Sequence, residues 1–346
     1  MAAPVLPPVY RLFVGVDIAA ATATVAWLLP GTPITRPVTI DQTPAGIAQL
    51  HTRLQATGIA PGDTLVVLEA TGSYWISLAT ALHQAGYAVS VINPMQAHHF
   101  AKALLKRAKT DAIDAQTLTH LAAQLQPARW TPPPDVYYEL QQRLAHRDAL
   151  LDLRQQIRNQ LHALVQGPVV IATVRTRLEQ LIATLTDQIT EVEAEIAPAL
   201  QQDAAWAAAA SRLQTITGIG LLTAAWIVVT TVNFRLCPSA DAAVGYAGLA
   251  PMPYDSGSSV RGRRRIGHRG NGRLRAALYM ASLSAAQHNP IIREFYERLR
   301  AAGKLKKVAR CAAARKLLRI AWAVAVKGQV FDPAYGQRAV GEVQAV

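Results

Sequence analysis

The chain has 346 residues, 51% of them hydrophobic and 16% charged, with a net charge of +13 at pH 7. That apolar content supports two or three domains with sizeable cores and argues against a largely disordered chain. The longest apolar run, Leu221 to Val229, is too short to span a bilayer, so a polyanion such as nucleic acid is the leading partner for the surplus positive charge.

The first ten residues, MAAPVLPPVY, lack a basic stretch followed by an apolar core, so no signal peptide is expected. Cys237 and Cys311 have no metal-type spacing and read as two core thiols of a reducing cytoplasm. Residues 11–18, RLFVGVDI, are a short apolar run ending in Asp17 and predict a strand. Residues 22–29, TATVAWLL, predict its hairpin partner, and residues 37–40 a third short strand. A helix is expected over 44–57, with Ile47, Leu50 and Leu54 on one face. Residues 65–69, LVVLE, form a continuous apolar run, as expected for a strand buried on both faces, with Glu69 at its end. A helix near 74–85, a strand at 88–92, the Asn93-Pro94 break and helices near 95–105 and 111–124 complete a βββαβαβα order. That order predicts an α/β domain with a mixed sheet over 9–126.

Four prolines between Pro127 and Pro134 mark a linker. Leu150, Leu153, Ile157, Leu161 and Leu164 step by three and four. After the Gly167-Pro168 break, Leu178, Leu181, Leu185, Ile189, Val192 and Ile196 do the same. The pattern predicts a helical linker over 127–205, either an antiparallel hairpin or a coiled coil, with exchange between protomers left open. A mostly α domain follows over 206–335. In it, LQTITGIGLLTAAW reads as helix, Gly218-Ile219-Gly220, helix. This is a helix-hairpin-helix-like element whose backbone N–H groups suit a phosphate, or equally an ordinary tight turn. The chain reads as helical again around Gly248, then is rich in Pro, Gly and Ser through 251–272. Basic helices are expected at 272–286 and 305–326.

The charge is not spread evenly. Residues 256–320 hold 17 Lys and Arg against 2 Asp and Glu, leaving 18 against 20 elsewhere. One block therefore carries all of the excess. Within it Arg261, Arg263, Arg264, Arg265, His268, Arg269, Arg273, Arg275, Lys304, Lys306 and Lys307 are candidate phosphate contacts.

Four acids form the second constellation. Asp17 and Glu69 end strands predicted to lie side by side. Asp111 and Asp114 are three apart in KTDAIDAQTL and share a helical face. Converging carboxylates make a hard-oxygen site suited to Mg²⁺ or Mn²⁺, and two such ions about 4 Å apart clamp a phosphodiester. Taken singly, each acid has a plainer role as a turn, cap or solvated group. Ser256, Ser258 and Ser259 stand among the arginines. A serine needs activation to act as a nucleophile, and no serine–histidine–acid triad is evident.

Together these motifs resemble the IS110 family of insertion-sequence transposases, also described as bridge-RNA-guided serine recombinases. The resembling stretches are FVGVDIA, VVLEATGSYW, VINPMQAHHFAKAL with KTDAIDA, TITGIGLLTAA, AVGYAGLAPMPYDSGSSVRGRRRIGHRGNGRLRAALY and FYERLRAAGKLKKVARCAAARKLL. They span nearly the whole chain in order. The resemblance implies a ribonuclease-H-like (RuvC-like) N-terminal domain whose DEDD metal site is Asp17, Glu69, Asp111 and Asp114. It implies a C-terminal transposase domain in which Ser256 forms a phosphoserine link with DNA. It further implies assembly of dimers to tetramers through the helical linker, donor and target DNA as substrates, and a structured guide RNA. One departure is Ile266-Gly267-His268, where the family commonly has Ser-Lys after the isoleucine. The residues by themselves also admit a metal nuclease or junction resolvase, in which water attacks, and a non-catalytic nucleic-acid-binding protein.

Overall fold

The computed structural model describes residues 10–105, 110–251, 255–256, 260–261, 266–267 and 269–334, with only the backbone at 255, 256, 260 and 261. Contacts divide the chain into two compact units, with the boundary between Pro132 and Pro133. Among the described residues no helix is long and apolar enough to cross a membrane.

The first unit is built on strands β1 (Leu12–Ile18), β2 (Thr22–Leu28), β3 (Val38–Asp41), β4 (Thr64–Glu69) and β5 (Ala88–Ile92). They form one sheet in the order β3-β2-β1-β4-β5. β1 pairs antiparallel with β2 and parallel with β4, so the sheet is mixed. Helices α1 (Pro44–Gln55), α2 (Trp75–Gln84), α3 (Pro94–Ala103) and α4 (Asp111–Leu125) cover it. The arrangement is compatible with a ribonuclease-H-like fold.

Side-chain alternation along the strands sorts residues between two cores. Leu12, Val14 and Val16 of β1 and Val66 and Leu68 of β4 pack with Leu50 and Leu54 of α1 and Leu78 and Leu82 of α2. Phe13 of β1 and Leu65 and Val67 of β4 pack on the other face with Leu118, Leu121 and Ala122 of α4. By the same alternation Asp17 and Glu69 belong to the α4 face.

Helix α4 lies directly on β1. A Cβ on Gly15 would stand 2.3 Å from the Ala115 carbonyl oxygen and 2.2 Å from the Thr119 nitrogen. The Thr119 hydroxyl donates to Ala26 O of β2 at 3.0 Å and to Ala115 O at 2.9 Å, tying helix to sheet from within the core. Thr110 caps the helix, its hydroxyl accepting from the Ile113 amide, and so fixes the first turn.

The second unit begins with α5 (Asp135–Val165) and α6 (Ala172–Gln201). Arg143 donates to Glu195, Arg147 to Glu193 and Arg154 to Thr186. One residue number rises as the other falls, so the two helices form an antiparallel hairpin. Their inner ends join a helical core, through Val136, Leu140, Leu144 and Ile196, with α7 (Ala204–Gln214), α8 (Leu221–Thr231) and α9 (Ala240–Tyr246). The short strands β6 (Asp255–Ser256) and β7 (Val260–Arg261) pair antiparallel. Helices α10 (Gly272–His288), α11 (Pro290–Ala301) and α12 (Lys306–Lys327) complete the unit.

Two sequence expectations change here. The helix expected around Gly248 ends at Tyr246. Gly248 takes φ +67°, and its missing Cβ leaves room for the Arg269 carbonyl and the Arg275 guanidinium, so helix is replaced by a close backbone approach. Residues 290–301, which the sequence reading left without an element, form α11, capped by the Asn289 side chain.

Replacing Gly15 by Ala should push α4 off the sheet and cost about 3 kcal/mol of unfolding free energy. Urea titration reads this, and an unchanged midpoint would show that α4 yields freely.

Candidate active site

A cavity of about 660 Å³ opens at the C-terminal ends of β1 and β4. Val16 pairs with Leu68 across the parallel ladder, and Asp17 and Glu69 are the next residue on each strand. The first turn of α4 brings Asp111 and Asp114 to the same place, and all four carboxylates line this one cavity. The Thr71 hydroxyl donates to Glu69 Oε1 at 2.9 Å and so orients that side chain.

The cavity is electrostatically strained. Burial first, then the charges of Asp114, Asp111 and Glu69, push the Asp17 carboxyl up to about 6. An all-oxygen donor set of this kind fits a hard divalent cation, which would relieve the repulsion. Among the described residues, no three His, Cys, Asp or Glu side chains are arranged to hold a metal ion as they stand. The fit therefore rests on donor chemistry and shared cavity, not on a ready-made coordination geometry.

Four further polar side chains line the cavity that sequence reasoning did not single out: Thr71, Thr117, His98 and Lys102. The signal was available for the last two. They are four residues apart on one helical face of α3, directly before the acidic pair.

The other candidates lie in the second unit. Ser256 is the last residue of β6, and its backbone is paired with Val260 of β7. Arg261 follows Val260 in β7. Ser258, Ser259, Arg263, Arg264, Arg265 and His268 lie outside the described residues.

Gly218 and Gly220 border an open concavity of about 530 Å³ with Thr217, Thr223 and Ser284. Gly218 takes φ +102°, and a Cβ there would stand 2.6 Å from the Ala285 Cβ of α10, so packing alone demands glycine. Gly220 caps α8 and faces open space.

Arg273 pairs with Asp148 of α5 at 2.5 Å and lies over the Trp226 ring at 5.1 Å. Asp148 is raised by burial and pulled back by Arg273 and Arg147. Arg275 donates to the Ala247 and Arg269 carbonyls at 3.2 Å. Both arginines thus have protein partners, whereas Arg269, Lys304, Lys306 and Lys307 are exposed.

Comparison with known proteins bears on both units. A DEDD transposase domain of the IS110 type matches residues 14–168, and the domain described as "Transposase IS116/IS110/IS902 family" matches residues 210–297. The "Pilin gene-inverting protein" of Moraxella lacunata is 31% identical over 324 residues, covering 93% of this chain and 98% of its own length. The "Transposase for insertion sequence element IS1328" of Yersinia enterocolitica is 29% identical over 289 residues, covering 74% of this chain and 82% of its own. A DEDD domain suggests dependence on a divalent metal, in keeping with the donor chemistry of the cavity. Two domain matches in chain order, and a relative matched almost from end to end, lead to one conclusion: the chain belongs to the IS110 family of transposases and is a recombinase acting on DNA.

Proposed function

We propose that this transposase cuts and rejoins DNA with carboxylates from its first unit and a serine from its second. Asp17, Glu69, Asp111 and Asp114 would hold Mg²⁺ or Mn²⁺ as a DEDD site. The bound cation would supply Lewis-acid polarisation of the phosphodiester. The Ser256 hydroxyl attacks phosphorus, a bond forms between its Oγ and phosphorus, and the bond to one deoxyribose oxygen breaks. The phosphoserine link conserves the energy of the broken bond for rejoining. The observation that carries this reading is the convergence of four acids on one cavity, where burial first and then the other three acids raise Asp17 to about 6.

The basic block around Ser256 would bring the polyanion to the serine. The exposed Arg269, Lys304, Lys306 and Lys307 are its clearest phosphate contacts, together with the backbone N–H groups near Gly218 and Gly220. The partners in this reading are donor and target DNA and a structured guide RNA.

Assembly of dimers to tetramers would run through the α5–α6 hairpin. Its outer end exposes Val169 (75%), Ile171 (57%) and Leu181 (49%), apolar surface that water does not favour.

Ser256→Ala should abolish a covalent protein–DNA adduct trapped during cleavage, while Asp17→Ala or Glu69→Ala should reduce cleavage by about 100-fold or more. Hydrolysed ends without an adduct would instead favour a nuclease in which water attacks. The Asp17 carboxyl, about 6 in the folded protein against about 3.9 unfolded, contributes stability that is full below about pH 4. That contribution is lost as pH rises through about 6. In divalent-free buffer, wild-type stability relative to Asp17→Asn should fall across that window in urea titrations. A flat difference would mean that Asp17 does not sit among like charges. Ile171→Asp with Leu181→Asp should lower the sedimentation coefficient of the assembled protein; an unchanged value would move assembly elsewhere.

A further inference from the structure

The acidic cavity has a second wall that the four carboxylates do not explain. A phosphodiester entering such a cavity meets four like charges, and cations bound there would offset only the side they face. Its outward oxygens need donors on the opposite side. Helix α3 contributes Lys102, the one cationic side chain among the described residues lining the cavity, and His98, one turn earlier on the same face.

Neither residue is needed for packing. Both are exposed, and α3 buries only Ala97. Ala97 and Ala101 also line the cavity and leave room between the two longer side chains. Among the described residues Lys102 has no ion-pair partner, although four carboxylates share its cavity. An ammonium on a flexible stem that faces a cavity and is not committed to a protein acid is available to an incoming anion. The imidazole of His98 offers a ring N–H in either tautomer, and its ring leans on His99 at 6.0 Å between centroids.

We propose that the α3 face bearing His98 and Lys102 is the phosphate-holding wall of this cavity. Lys102 neutralises a non-bridging oxygen of the DNA backbone, and His98 donates to the same phosphate or its neighbour. The two thereby hold the strand against the carboxylates. The inference rests on reading the cavity as the cleavage site, and it adds the residues that make the cavity acceptable to DNA.

The test is strand cleavage of a labelled duplex spanning the junction between the element's end and its flank, with RNA transcribed from the same locus present. Mn²⁺ binding by the same protein is followed in parallel, with Mn²⁺ as the probe ion. Lys102→Ala should raise KM for the duplex about tenfold or more, as expected for loss of a charge-assisted contact, and should leave Mn²⁺ binding intact. His98→Ala should act in the same direction with a smaller change, and Lys102→Arg should recover part of the loss. Arg53→Ala, which removes an exposed charge of α1 outside the cavity, should leave KM unchanged. An unchanged KM in the double variant His98→Ala/Lys102→Ala would overturn the inference. So would a loss of Mn²⁺ binding with either substitution, because the two residues would then act on the acids and not on the phosphate. If Asp17→Asn is inactive while the double variant cleaves normally, only this wall is wrong. If Asp17→Asn cleaves like wild type, the cavity is not the cleavage site and both readings fall.

Discussion

The first unit depends on one close approach, that of α4 to β1 at Gly15. A helix can lie on a strand at this distance only where no Cβ intervenes, and the positions a Cβ would need are filled by the Ala115 carbonyl and the Thr119 amide. The Thr119 hydroxyl then bridges to the backbone of β2. With the helix held so near, its first turn reaches the end of β1, and the two acids there join Asp17 and Glu69. If the helix sat farther out, as an ordinary side chain would require, the acidic pair would move away from the strands. The cavity is in this sense a product of one missing methyl group and one threonine.

What that approach creates is unfavourable in isolation. Like charges are gathered at the edge of a core, and the Asp17 carboxyl is raised first by burial and then by those charges. Proteins tolerate such strain where a ligand removes it. The likeness to DEDD transposases supplies the ligand class, a divalent cation, and the donor atoms agree with it. The excess positive charge of the chain lies in the second unit, in the block from 256 to 320. The four acids of the cavity and the surplus of basic residues therefore lie in separate parts of the chain.

The second unit shows how basic residues divide between structure and surface. Arg273 is bound to the buried Asp148 and covers Trp226, and Arg275 fastens two backbone carbonyls near Gly248. Lys316 lies over the Phe295 ring at 4.8 Å, with its ammonium lowered first by burial and then by Arg298. These cations pack and brace helices. Lys304, just before α12, and Lys306 and Lys307 at its start are exposed and have no such duty among the described residues.

The sequence by itself determined the strands and helices of the first unit, because each has a distinct apolar period and clear Gly and Pro breaks. It also singled out the four acids, and its likeness to a known family implied a DEDD metal site for them. It determined that charge is concentrated in one block, since charge is a property of composition. Only the tertiary structure decided that Asp17 and Glu69 face the same side as α4, which follows from pleat and register. It alone gave Gly15 its purpose, turned Gly218 into a packing requirement against Ala285, and withdrew Arg273 into a pair with Asp148. It alone put His98 and Lys102 in one cavity with the acids. Contacts between residues distant in the chain depend on how helices lie on a sheet or on one another, and that distance is set by the side chains of both partners at once. No local pattern in one stretch records it.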